Sequence, residues 1–181
     1  MKWYVFNDKE GNATVNVILD HNTTAGVVYN STGNNSEMKE AADALKTDTS
    51  TWKNTARLIT ANEVAKITGH PTFDATQSGQ SWFCLDTNQS DTTNWCVKPQ
   101  GASEYDWLFD YTNNCTNYGC NTPDSSNYGY WTNTPYKDNS ISAWLVTRGG
   151  ALSYGSLGSS DVPSTDYGIR PVITISKSNI N

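Results

Sequence analysis

The chain has 181 residues, with 18 Asp and Glu against 12 Lys and Arg and a formal net charge of -6, which is one acidic domain's worth of polypeptide. Asn, Thr and Ser fill 61 positions, only 17% of residues are charged and 12% are aromatic, seven of them Trp. That profile excludes a helical enzyme rich in Ala, Glu and Lys, and it excludes a disordered segment, because the aromatic content can bury a core.

Small polar residues favour turns, and aromatic and β-branched residues fit a pleated surface, so a loop-rich, strand-containing α+β fold with few helices is expected. No stretch of clustered Lys and Arg is present to meet phosphate backbones, so no nucleic-acid partner is expected. No apolar run approaches the roughly 20 residues of a membrane span, so the mature domain is not expected to be membrane-embedded.

Met1 leads directly into Lys2-Trp3-Tyr4-Val5-Phe6, which reads as a strand, so any export or anchoring segment is expected outside this sequence. A polar turn, Asn7 to Asn12, precedes the alternating Thr14-Val15-Asn16-Val17-Ile18-Leu19, and the two strands predict a hairpin within residues 1–30. Asn35 or Ser36 is placed to cap a first helix over about 36–46, with Met38, Ala41, Ala42 and Leu45 on one face.

The second helix, 61–68, has both ends specified. Thr60 and Glu63 form a capping box, Ile59 and Val64 match a hydrophobic staple, and Gly69 followed by Pro71 ends the helix. From residue 71 to 181 only strand-length apolar pieces remain, including Trp82 to Leu85, Trp95 to Val97, Ala143 to Val146 and Ile169 to Ile175. The irregular stretch from Lys98 to Tyr130 is long enough to be functional or stapled, with Trp107-Leu108-Phe109 pinning it to the core. No linker, repeat or second core is visible, so residues 1–181 are read as a single domain.

Four cysteines allow three pairings. Cys84 and Cys96 flank a polar turn and Cys115 and Cys120 bracket a tight loop, so those two pairs are expected, in an oxidising compartment. The two histidines, His21 and His70, sit in no catalytic frame, and no nucleophile elbow, zinc-protease motif or phosphate loop occurs.

Asp86 to Asp91 opens like a calcium loop, but Asp91 and Val97 occupy the positions that need Gly and a bidentate Glu. Glu104, Asp106 and Asp110 cluster around Trp107 and are the carboxylates a glycosidase reading would use. The Asn-x-Ser/Thr triplets at Asn12, Asn22, Asn30, Asn34, Asn88 and Asn114 match what 20 asparagines produce by chance among 41 Ser and Thr.

Three landmarks occur in order: Arg57-Leu58-Ile59-Thr60-Ala61-Asn62-Glu63, Tyr130-Trp131-Thr132-Asn133-Thr134 and Tyr167-Gly168-Ile169-Arg170-Pro171-Val172. Together they resemble the C-type lectin-like fold in its formylglycine-generating-enzyme branch, which includes the variable proteins of diversity-generating retroelements and related bacterial pilin-like surface proteins. The resemblance covers about residues 57–176, and Ala143 to Val146 with the Gly149-Gly150 turn fits it.

It implies short antiparallel sheets that pair the first and last strands, two helices packed on them and a long loop region above. It also implies a structural Arg170, satisfying buried carbonyls or a carboxylate. The branch's catalytic cysteine pair would lie after the Trp strand, where this chain has no cysteine between Trp131 and Arg170. No catalytic residue and no cofactor are therefore implied. Glu-Pro-Asn, Gln-Pro-Asp and Trp-Asn-Asp are also missing, so no metal is implied.

What the resemblance does imply is a display face built from the segment after the Trp strand. Its candidate ligand-binding residues are Tyr136, Asn139, Arg148, Ser153, Tyr154, Ser156, Ser159, Asp161 and Asp166, a mixture like that of paratopes. The expected function is a non-enzymatic ligand-binding or adhesion domain, diversified by a retroelement or not. It would stand on a bacterial surface, pilus-like fibre or phage particle and meet a protein or glycan on another cell or surface. The alternatives are a structural subunit of such a fibre or particle and, third, a carbohydrate-active enzyme using Glu104 to Asp110.

Overall fold

Trp3–Phe6 (β1) and Thr14–Leu19 (β2) form the expected antiparallel hairpin, with Trp3 opposite Leu19 and Phe6 opposite Asn16. The computed structural model describes residues 1–24, 26–86, 96, 104–109, 129–147, 150–157 and 167–180. Its further elements are helix α1 (Lys39–Asp48), β3 (Ala56–Arg57), helix α2 (Ala61–Ile67), β4 (Phe83–Cys84) and a single helical turn, α3 (Asp106–Phe109). After these come β5 (Gly129–Pro135), β6 (Ser142–Val146), β7 (Ala151–Ser156), β8 (Tyr167–Gly168) and β9 (Val172–Ser176).

The strands make two sheets, a four-stranded one in the order β1-β2-β9-β3 and a five-stranded one in the order β4-β7-β6-β5-β8. Among the described residues every strand pairing is antiparallel except β5 with β8. The last strand therefore pairs with β2 and β3, whereas the resemblance led us to expect it beside the first. Burial explains the order: Val15, Val17, Ile18 and Leu19 of β2 are buried, as a central strand requires, while β1 exposes Val5 as an edge strand does.

Strand alternation divides the interior into two clusters. Phe6, Ile18, Ile59, Val64, Tyr130, Trp144, Leu152 and Val172 fill one; Tyr29, Leu45, Leu58, Trp131, Leu145 and Ile169 belong to the other. The adjacent residues Tyr130 and Trp131, like Trp144 and Leu145, thus serve opposite faces of one sheet.

α2 starts as its sequence dictates. The Thr60 hydroxyl accepts from Glu63 N–H at 2.9 Å, and the Glu63 carboxylate accepts from Thr60 N–H at 2.9 Å. Ile59 and Val64 of the staple are both fully buried, and Gly69 follows at φ 76°.

α1 begins about three residues later than the expected start near 36 and ends at Asp48, with neither Asn35 nor Ser36 at its N-cap. The Asn35 amide donates to the carbonyls of Tyr136, Asn139 and Ser142 at 2.7–2.9 Å, and Ser36 N–H is taken by the Asn34 side chain. Met38 stands at the N-cap without a side-chain hydrogen bond.

The apolar pieces after Pro71 are shorter as strands than as sequence. Residues 82–85 give a two-residue β4. Ile169 forms only an isolated bridge with Thr24, and β9 starts after Pro171, whose missing N–H cannot feed a ladder. Gly168 has a steric reason to be glycine, since a Cβ there would lie 2.4 Å from the Thr24 carbonyl oxygen.

Arg170 is fully buried and donates to the carbonyls of Leu19 (2.6 Å), Asp20 (3.3 Å), Trp107 (2.6 Å) and Leu108 (2.9 Å). Its guanidinium thereby ties α3 to the end of β2. Cys84 and Cys96 form the expected disulfide. Cys115 and Cys120 lie outside the described residues, as do most of the 98–128 stretch and the flanks of Cys96. Among the described residues no helix is long and apolar enough to cross a membrane.

Candidate ligand-binding face

β6 and β7 form a hairpin closed by hydrogen bonds from Thr147 N–H to the Ala151 carbonyl (2.9 Å) and from Gly150 N–H to the Thr147 carbonyl (3.1 Å), with Gly150 at φ 85°. The register sets Trp144 opposite Tyr154, Leu145 opposite Ser153 and Ser142 opposite Ser156. Tyr154 and Ser156 therefore share the face of Trp144, while Ser153 lies on the other face with Leu145. The resemblance grouped these residues on one face, and the pleat separates them.

Tyr136 follows β5 and is held by its N–H to the Ser142 carbonyl at 3.0 Å. Its ring stacks on Tyr154 with centroids 3.8 Å apart and planes 5° from parallel. Both rings stand nearly perpendicular to Trp144, each 5.4 Å from it. Tyr154 keeps 38% of its surface exposed while Trp144 keeps none, so a rigid buried ring backs an accessible pair. The hydrogen bond with Tyr154, then burial and the charge of Asp138, push the Tyr136 hydroxyl up to about 12, which keeps it a neutral donor and acceptor near neutral pH.

Behind the pair, Trp144 is met by further, partly buried rings. Trp144 meets Phe73 edge to face at 5.0 Å, Phe73 meets Phe83 at 5.3 Å, and Phe83 stacks on His70 at 3.8 Å. Burial lowers the His70 pKa, as it does that of His21. His70 thus belongs to this aromatic row, and His21 is buried elsewhere in the fold.

Asn139 shapes the turn: its side-chain oxygen accepts from Ile141 N–H at 3.0 Å and its carbonyl accepts from Asn35. Asp138 accepts from Gly79 N–H at 2.7 Å, which with the Ser78 hydroxyl holds its carboxyl below the usual range and ties the 71–80 loop to the turn. A cleft of about 380 Å³ opens beside Tyr136, bordered by Asn35, Thr76, Thr134, Lys137 and Ser140.

Sequence reasoning did not single out Asn35 as a clamp, nor Asp138 and Phe73 as supports. Asn35 carried a cap signal that pointed elsewhere, and Asp138 and Phe73 carried no local signal. Arg148, Ser159, Asp161 and Asp166 lie outside the described residues.

Glu104 is exposed and hydrogen-bonds Tyr105, whose hydroxyl it pushes up to about 12. The Asp106 side chain and all of Asp110 lie outside the described residues, as does most of the Asp86 to Asp91 loop, although Asp86 itself is buried. Among the described residues no group of three or more His, Cys, Asp or Glu is placed to hold a metal.

Comparison with protein-family models, with curated proteins and with solved structures finds no match for this chain. The site therefore has to be read from its own chemistry.

Proposed function

We propose that this chain is a non-enzymatic ligand-binding or adhesion domain of the C-type lectin-like type, built like the variable proteins of diversity-generating retroelements. It would be displayed on a bacterial surface, pilus-like fibre or phage particle, with its loop face toward a protein or glycan on another cell or surface. The observation that carries this reading is the Tyr136–Tyr154 stack, half-exposed above the buried Trp144.

Tyr supplies contact area with few rotatable bonds, and a ring already fixed by stacking loses little entropy on binding. Ser156 on the same face and Asn139 in the adjacent turn add small polar groups of the kind that adapt their hydrogen bonds. Expected contacts from Arg148, Asp161 and Asp166 belong to the same proposal.

A double-mutant cycle tests it, with Tyr136→Ala, Tyr154→Ala and the double variant measured for binding to whole bacterial cells by flow cytometry. If the stacked pair acts as one unit, the double variant loses scarcely more than either single variant. Additive losses would mean two independent contacts, and no loss would remove the face from the account.

Ile141, 52% exposed at the tip of the same turn, also suits the second reading, a structural subunit whose loop face meets its neighbour in a fibre or particle. Concentration-dependent assembly in sedimentation, abolished by Ile141→Ser, would favour that reading.

A further inference from the structure

We propose that a second cleft, of about 410 Å³ between the β1–β2 turn and α2, binds a small organic carboxylate. Its apolar body would lie on Phe6 and Ile67, and its charge would face Lys9 and Lys66. The cleft shares no lining residue with the one beside Tyr136, and its volume falls in the range of small-molecule sites.

Several polar groups along its wall are already engaged. Asp8 pairs with Lys177 at 2.5 Å. Glu63 is held by both guanidinium nitrogens of Arg57, at 2.8 and 2.6 Å, as well as by Thr60 N–H. The Asn62 amide accepts from Ala75 N–H and donates to Asp74. The acids at this cleft are thus neutralised from behind, and Asn62 is turned to another loop.

Lys9 and Lys66, by contrast, have no ion-pair partner among the described residues, and the Asn7 side chain has no hydrogen-bond partner among them. Asn7 is held in the turn at φ 56°, a conformation that Asn tolerates better than most side chains. In a chain of net charge -6, this wall therefore presents two uncompensated ammonium groups and an amide beside apolar surface. An acceptor of negative charge matches the donors. An apolar stem matches Phe6 and Ile67, which a bare anion such as phosphate would leave unused.

Titration of the ¹⁵N-labelled protein with acetate, butyrate, hexanoate and neutral hexanamide, at constant ionic strength, tests this. Hexanoate is expected to give saturable amide shifts confined to Phe6–Lys9 and Thr60–Ile67. It should bind at least about five-fold tighter than acetate, since each buried methylene strengthens binding, and tighter than hexanamide.

The Lys9→Gln/Lys66→Gln double variant, at two exposed positions, should bind hexanoate about three- to ten-fold more weakly while its thermal unfolding stays unchanged. Shifts that do not saturate, shifts that map elsewhere, equal affinity for hexanoate and hexanamide, or hexanoate affinity unaltered in the folded double variant would each overturn the proposal.

Discussion

Trp131 and Trp144 occupy neighbouring strands and are both fully buried, yet their indole N–H groups differ. Trp131 Nε1 donates to the Val27 carbonyl at 2.6 Å, whereas Trp144 Nε1 has no hydrogen-bond partner among the described residues. Replacing each by Phe removes a similar volume but only one hydrogen bond. Trp131→Phe also strands the Val27 carbonyl, so it should destabilise by about 1 kcal/mol more than Trp144→Phe in urea unfolding. Equal losses, or the reverse order, would show that the Trp131 bond contributes nothing net.

His21 gives the residue scale a pH signature. Burial lowers its pKa from 6.5; Arg170 pushes the same way and Asp20 opposes them. The folded state thus favours neutral imidazole, while the unfolded chain takes up a proton below 6.5. The stability this group supports is complete above that pH and is lost as pH falls toward the folded pKa. His70 is shifted in the same direction, also chiefly by burial. Unfolding measured at pH 8 and at about pH 5.5 should show a fall in stability that is smaller in His21→Gln. An unchanged pH dependence in that variant would assign the fall to other groups.

At the scale of elements, α2 is the most directly encoded piece because its determinants lie within a few residues of one another. Removing the Thr60 cap by Thr60→Ala should lower stability by about 1 kcal/mol, a fall in melting temperature of about 2–4 °C for a domain of this size. Ser36→Ala should change little, because Ser36 does not cap α1. A larger loss at Ser36 than at Thr60 would contradict the observed helix starts.

The contrast shows what could be read in advance. Thr60 and Glu63 act on each other across three residues, whereas the Asn35 amide reaches carbonyls more than 100 residues away. Capping residues are ambiguous in this respect, since Asn satisfies a distant carbonyl as readily as a nearby N–H. The β1-β2-β9-β3 order was equally hidden. Alternation in Thr14–Leu19 marks a strand but does not name its neighbours, and only the burial of both faces of β2 explains its central place.

Across the whole molecule, the two sheets share the work of holding the face in place. Arg170 gathers the end of β2 and the α3 turn, the disulfide ties Cys96 to Cys84 of β4, and Asn35 and Asp138 clamp the turn that carries Tyr136. Sequence reasoning named Tyr136 and Tyr154 together, but their contact depends on the hairpin register and the bend after β5, neither of which is a local property. It also named Ser153, and the register sets that residue against Leu145 on the opposite face.

That separation makes Ser153 an internal control for the Tyr154 face. The decisive measurement is the binding of fluorescently labelled domain to a panel of whole bacterial cells, comparing wild type, Tyr154→Ala and Ser153→Ala with their melting temperatures. Saturable binding to at least one member of the panel is expected, weakened roughly ten-fold or more by Tyr154→Ala, as for a ring at the centre of an interface. Ser153→Ala should bind like wild type with a melting temperature within about 2 °C of it, and Tyr154→Ala should stay folded, melting about 2–6 °C lower for its lost ring contacts. No binding by the wild-type domain, or equal binding by the folded Tyr154→Ala variant, would contradict this reading.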